Sequence, residues 1–144
     1  MTIVFMGGTC NNSMWRNRLI DYSNKMKYNI NWFNPIVDDW TEECIQIEYQ
    51  MKKKADFQIF VITPKMTGVF SIAEVVDASN KIPHKTIFCY TIEDGSEMFN
   101  DFQRKSLEET SKLIKNNGGI VTDTIFEIAD IINERTLVNK YLPR

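Results

Sequence analysis

Histidine is almost absent from this sequence: His84 stands alone, directly after Pro83. One imidazole cannot build a conventional metal centre, and His84 reads as surface structure. Cysteine is sparse too. Cys10, Cys44 and Cys89 are widely spaced and odd in number, which gives neither a disulfide framework nor a zinc pattern. No apolar run approaches the roughly 20 residues of a membrane span. The opening "MTIVFMGG" lacks a basic region followed by a long apolar stretch, so no signal peptide is read and a cytoplasmic location is expected. Excess charge is missing as well. A net charge of −2 argues against a nucleic-acid polymer as partner, which would call for a basic face. The lysines of "MKKKAD" read as a solvated helix end. Neither a GxGxxG nor a Walker A loop is present, so no dinucleotide or ATP is implied, and no cofactor or metal is expected.

What the chain does have is the material for one domain spanning residues 1–144, with a hydrophobic fraction of 43% to fill a core. Strand and helix patterns alternate throughout. Apolar runs at 2–6, 30–33, 57–63, 86–90 and 119–121 read as buried strands. Between them lie helices expected at about 13–27, capped by Asn12 or Ser13, and at about 40–54, opened by a capping box of Asp39 and Glu42. Further helices are expected at about 71–79 and 100–115, the latter stopped by "NNGG". A last helix follows Thr122, Asp123 or Thr124, and "EDGSEM" reads as a loop. Solid apolar strands alternating with helices predict an α/β fold: a flavodoxin- or Rossmann-like three-layer sandwich with a parallel sheet in the order 2-1-3-4-5.

In that order the chain reverses between strands 1 and 3, and ligands of open α/β sheets bind outside the carboxyl ends of the strands at such a point. Two loops are thereby selected, "GGTCNNS" and "PKMTGVFS". Gly7 and Gly8 allow close approach of a ligand or a sharp bend. Thr9, Asn11, Asn12 and Ser13 place small polar groups before a helix N-terminus, with Arg16 one turn inside. An ordinary well-capped turn would look the same. Glu74 lies one turn after Ser71, close to a helix start whose dipole favours an ionised carboxylate. That suits a nucleophile; the plain alternative is a solvent-facing residue. Glu48 shares a stripe with Cys44, Ile45, Met51 and Ala55. A charge there is costly unless paired, or else it reaches solvent from the stripe's edge. Two carboxylates in one crevice would suit glycosyl transfer. After strand 2, Asn34, Asp38, Asp39 and Trp40 come within reach of the same crevice, although one aspartate suits a helix cap and Trp40 suits the core. Trp15 and Trp32 read as packing.

The pieces "VFMGGT…SMWR", "WFNPIVDDW", "QIEYQMKKKAD" and "GVFSIAEVVDAS" occur in order over roughly residues 3 to 90, with a characteristic spacing from Glu48 to Asp56 to Glu74. In these the chain resembles the nucleoside 2-deoxyribosyltransferase-like family, including the 2'-deoxynucleoside 5'-phosphate N-glycosidases. The resemblance implies a small nucleoside or nucleotide as ligand. It implies attack on C1' of the deoxyribose by Glu74, with Glu48 holding the sugar or the nucleophile. It implies a pocket lined by Gly7, Gly8 and Thr9, and a homo-oligomer, a dimer or higher, in which a neighbour completes the site. Two positions depart from the family pattern. Gly68 stands where an aspartate often handles the base's proton, and Phe5 where a tyrosine often orients the nucleophile. Asp38 or Asp39 could replace the acid, or the leaving base could be a better one, such as a cationic base. The rival expectation is a module that senses or sequesters a nucleotide without chemistry.

Overall fold

The computed structural model describes residues 1–37, 39 and 41–141. The chain runs β1 (Thr2–Gly8), α1 (Trp15–Lys25), β2 (Ile30–Phe33), α2 (Glu42–Lys54), β3 (Phe57–Ile62) and α3 (Phe70–Lys81). After a 3-10 turn at Pro83–Lys85 come β4 (Thr86–Tyr90), β5 (Glu93–Asp94), β6 (Glu97–Met98), α4 (Asp101–Asn116), β7 (Ile120–Thr122) and α5 (Ile125–Tyr141). The main sheet is parallel, in the order β2-β1-β3-β4-β7. This is the expected 2-1-3-4-5 once β5 and β6 are set aside. Those two short strands pair antiparallel around Gly95, whose φ is +61°. The expected loop at "EDGSEM" is therefore a small hairpin, too short to show a period-2 pattern in the sequence.

All six residues of β3 are buried, as a central strand covered on both faces requires. On one face Val4, Met6, Ile59, Val61 and Ile87 pack against Trp15 and Leu19 of α1 and Ile128 and Ile132 of α5. On the other, Phe60, Ile62 and Phe88 pack against Val75 and Ala78 of α3 and Leu107 and Ile114 of α4. Each such side chain contributes about 1.5–3 kcal/mol when fully buried. The helix α2 lies on this second face, where its Lys52 reaches the rings of Phe5 and Phe60. Its packing is thin, and none of its 13 residues is buried. No helix among the described residues is long and apolar enough to cross a membrane.

The helix ends correct the sequence reading in detail. Helix α1 begins at Trp15 with no side-chain cap; Asn12 instead turns the chain in the left-handed region, at φ 57°. Helix α2 is capped by Thr41, whose hydroxyl accepts from the Cys44 amide at 3.2 Å, so the box of Asp39 and Glu42 does not open it. Helix α4 has a capping box of Asn100 and Gln103. It ends as "NNGG" predicts, with Gly118 at φ +94° and the Gly119 amide donating to the Ile114 carbonyl at 2.9 Å. Asp56 accepts from the Ile3 amide at 2.8 Å and its own amide donates to the Ile3 carbonyl at 2.8 Å, fixing the entry to β3 beside β1.

The last residue of β1 is held by shape. Gly8 has φ +120°, and a Cβ there would sit 2.0 Å from the Val61 carbonyl oxygen. Backbone cannot yield as a flexible side chain can. Gly8→Ala is expected to cost about 3 kcal/mol or more in urea unfolding. Gly68→Ala, whose Cβ would meet nothing within 4 Å, is expected to stay within about 0.5 kcal/mol of wild type.

Candidate active site

The carboxyl ends of β1 and β3 open into a cleft of about 420 Å³. The loops that form its mouth are cross-tied. The Thr9 hydroxyl accepts from the Thr63 amide at 2.9 Å, and the Thr9 amide donates to the Val61 carbonyl at 2.9 Å. Asn11 donates to the Lys65 carbonyl at 2.9 Å and to the Thr67 hydroxyl at 2.6 Å. Arg16 is buried, only 2% exposed. Its guanidinium donates to the carbonyls of Thr9 at 2.6 Å, Met6 at 3.0 Å and Gly8 at 3.4 Å. Burial pulls its pKa down to about 10, with Cys10 beside it acting in the opposite direction. It remains a cation at neutral pH.

Of the residues selected from sequence, Gly7, Gly8, Thr9, Arg16, Glu48, Gly68, Ser71 and Glu74 line this one cleft. Ser13 does not: its hydroxyl donates to Asp94 at 2.5 Å, on the hairpin side. Asn34 is exposed and accepts from the Ile36 amide at 3.0 Å, away from the lining. Asp39 is exposed and off the cleft wall. Asp38 and Trp40 lie outside the described residues. From the same segment the cleft takes Pro35, Ile36 and Val37 instead, and opposite them stand Met66 and Phe70. These apolar walls went unnoticed in the sequence because they lie in loops or, for Phe70, at the first residue of a helix, without the periodicity that marks a buried face.

Glu74 sits differently from the expectation. Helix α3 starts at Phe70, so Glu74 is its fifth residue and lies beyond the first turn, where the dipole has largely faded. Its charge partner is Lys52, whose ammonium donates to Glu74 Oε2 at 2.5 Å. The two side chains are 27% and 19% exposed, for Lys52 and Glu74 respectively. The "MKKKAD" run is thus divided: Lys53 and Lys54 are exposed, while Lys52 turns inward. Glu48 stands four residues before Lys52 on α2, on the same helix face. Burial raises its carboxyl pKa, the neighbouring Glu74 raises it further, and Lys52 opposes both. Two carboxylates that line the cleft and one ammonium behind them therefore form a single electrostatic unit. Helix α3 opens on the same cleft with no side-chain cap and no acidic residue in its first turn.

A family model described as nucleoside 2-deoxyribosyltransferase like matches residues 1–92. Among solved structures, the chain is similar to a crystal structure of a conserved protein from Enterococcus faecalis V583. The TM-score is 0.56 at 18% identity, over 94% of this chain and 99% of that one. At that identity the likeness carries the fold alone. No curated protein matches the chain.

A carboxyl whose pKa is raised on folding, as for Glu48, holds its proton more tightly in the native state than in the unfolded chain. Its contribution to stability is greatest at acid pH and is lost as pH rises through the folded-state pKa. Glu48→Gln is therefore expected to raise the melting temperature near neutral pH, by about 1–3 °C, since solvent screening keeps the effect below about 1 kcal/mol. The gain should vanish at about pH 4, where the wild-type carboxyl is protonated. Calorimetry of both proteins at the two pH values checks this.

Proposed function

Since the chain belongs to the nucleoside 2-deoxyribosyltransferase-like family, we propose that it cleaves or exchanges the N-glycosidic bond of a deoxynucleoside or deoxynucleotide, with Glu74 as nucleophile. The observation that carries this reading is the convergence of Glu48 and Glu74 on one cleft, with one oxygen of Glu74 fixed by Lys52. The other oxygen of Glu74 attacks C1' of the sugar, and the C1'–N bond breaks with its electron pair passing to the base. The product of this step is a glycosyl ester on Glu74. Glu48 is the carboxyl whose environment favours the protonated form, so it gives the proton to the departing base. Water, or the nitrogen of a second base, then attacks C1'; Glu48 takes the proton and Glu74 leaves as carboxylate. Water gives hydrolysis and a second base gives transfer.

The exposed Asp39 has no role in this scheme. Gly68 lines the cleft and carries no carboxyl. Phe5 is 2% exposed and stacks on Phe33 at 6.0 Å, so it brings no hydroxyl to the nucleophile. These two positions support a second reading, a module that binds or sequesters a nucleotide without chemistry. Base release from a panel of deoxynucleosides and their 5'-monophosphates separates the two, because the module would bind and release nothing.

The proposal extends to assembly. Ile45, Ile47 and Tyr49 of α2 and Val69 and Phe70 at the start of α3 are exposed, Phe70 by 74%. An apolar margin of this kind beside a cleft suits a second copy of the chain. Sedimentation at micromolar concentration is expected to give a dimer or larger; a monomer there would remove this part of the proposal.

Glu74→Gln is expected to lower base release by about 1,000-fold or more, with substrate binding largely kept. A 2'-fluoro nucleoside is expected to leave a glycosyl adduct on Glu74, visible by mass spectrometry of the digested protein. Full activity in Glu74→Gln would exclude Glu74 as nucleophile.

A further inference from the structure

The scheme above moves no proton or bond through Lys52, which stands behind the cleft lining and holds one oxygen of Glu74. Its ammonium donates to Glu74 Oε2 and lies 5.7 Å and 5.8 Å from the ring centroids of Phe5 and Phe60. Aromatic faces attract a cation through the ring quadrupole, which helps hold the ammonium in place beside the carboxylate. The ammonium also has donors to spare, and one helical turn back on α2 stands Glu48. Other groups could supply charge to the pair. Arg16 approaches from α1, but its guanidinium is committed to the carbonyls of Met6, Gly8 and Thr9. Cys10, on the loop after β1, also lines the cleft. Among the described residues, Lys52 is the cation placed to serve both carboxylates.

We propose that Lys52 is the positioning residue of this site: it pins one oxygen of Glu74 so that the other faces the sugar, and it balances Glu48 once Glu74 is esterified. The proposal rests on the reading of Glu74 as nucleophile and adds to it the means of orientation. While Glu74 is ionised, the ammonium belongs chiefly to it. When the ester forms, that negative charge disappears and Lys52 is left facing Glu48. Glu48 has by then given up its proton to the base, and a nearby cation favours the ionised form that must accept the next proton from water. One lysine thus serves the nucleophile in the first half of the cycle and the base in the second. Phe5 fits the same arrangement, since its ring is a wall for the ammonium, where a hydroxyl would compete with Lys52 for the carboxylate.

The test compares Lys52→Met with Lys52→Arg. Methionine keeps most of the length and apolar contact of lysine and removes the charge. Lys52→Met is expected to lower kcat for base release by about 10- to 100-fold and to leave KM within about threefold. Lys52→Arg is expected to restore most of the rate. The second readout needs no turnover: the carboxyl carbon of Glu48, followed by 13C NMR, should titrate at higher pH in Lys52→Met and return toward wild type in Lys52→Arg. An unchanged kcat in Lys52→Met, an unmoved Glu48 titration, or an arginine variant as defective as the methionine variant would each overturn the proposal. Were the wild-type protein to release no base from any substrate, the reading of the reaction would fall. The Glu48 titration would still decide whether Lys52 governs the carboxylate pair.

Discussion

The guanidinium of Arg16 is the contact on which the mouth of the cleft depends. Burying a cation costs several kcal/mol unless it is fully paired, and here the pairing comes chiefly from backbone, with Cys10 and the Trp15 ring beside it. Three carbonyls at the end of β1, those of Met6, Gly8 and Thr9, converge on it, and the Trp15 indole donates to the same Thr9 carbonyl at 2.8 Å. A planar fork of fixed donors can satisfy several carbonyls at once, which an ammonium on a flexible stem does less well. The consequence is that the chain leaves β1 in one direction only. Thr9 is then placed to bond Thr63, and Asn11 to bond Lys65 and Thr67. Both loops of the switch point are thus tied to one buried charge. Sequence reasoning offered Arg16 as a contact for substrate; it does line the cleft, and its guanidinium also anchors the loop that borders it.

Against this fixed floor, the residues of the proposed chemistry stand on elements of unequal firmness. Glu74 stands on α3, whose Val75 and Ala78 are buried against the sheet. Glu48 and Lys52 stand on α2, none of whose residues is buried. Helix α2 is therefore held near the sheet by few contacts, Lys52 against Phe5 and Phe60 among them. The Gln58 side-chain amide donates to the Lys52 carbonyl at 3.2 Å and ties down the last turn. A helix with little core of its own yields more readily than α3, whose buried residues anchor it to the sheet. On the proposed reading, a firmly held Glu74 beside a less anchored partner helix suits a site that accepts a sugar and then releases it.

The sheet was legible because β strands buried on both faces are written as solid apolar runs, and "TIVFM", "FQIFVIT" and "TIFCY" are such runs. The switch point followed from the order, and with it Gly7, Gly8, Thr9, Gly68 and Ser71. What failed to show was anything that depends on how a side chain turns within a run of its own kind. Three consecutive lysines look alike in sequence, but only Lys52 shares a helix face with Glu48 and meets Phe5, Phe60 and Glu74. Ser13 read as a cap and pocket residue because it precedes a helix; Asp94, far along the chain on the hairpin, claims its hydroxyl instead. The apolar walls from Ile36, Val37 and Met66 are formed by loops, where no periodicity announces a buried face.

The division of the chain into a site and its support follows from where these residues lie. The family model covers residues 1–92, and each residue lining the cleft falls within that span, the last being Glu74. The remainder supplies the β5–β6 hairpin, α4, β7 and α5. Its buried side chains, Leu107 and Ile114 on one face and Ile125, Ile128, Ala129 and Ile132 on the other, close the two cores. They cover β4 and the central strands and add the edge strand β7. Such a covering is constrained by volume and pattern more than by identity, because apolar residues of similar size replace one another at modest cost. The wall of the cleft carrying Glu74 and Glu48 has no such freedom. Moving a carboxylate by one helical position would turn it away from Lys52, and a side chain at Gly8 would collide with β3. Those strict requirements belong to residues before 93, and so does the part of the sequence that bears the family's likeness.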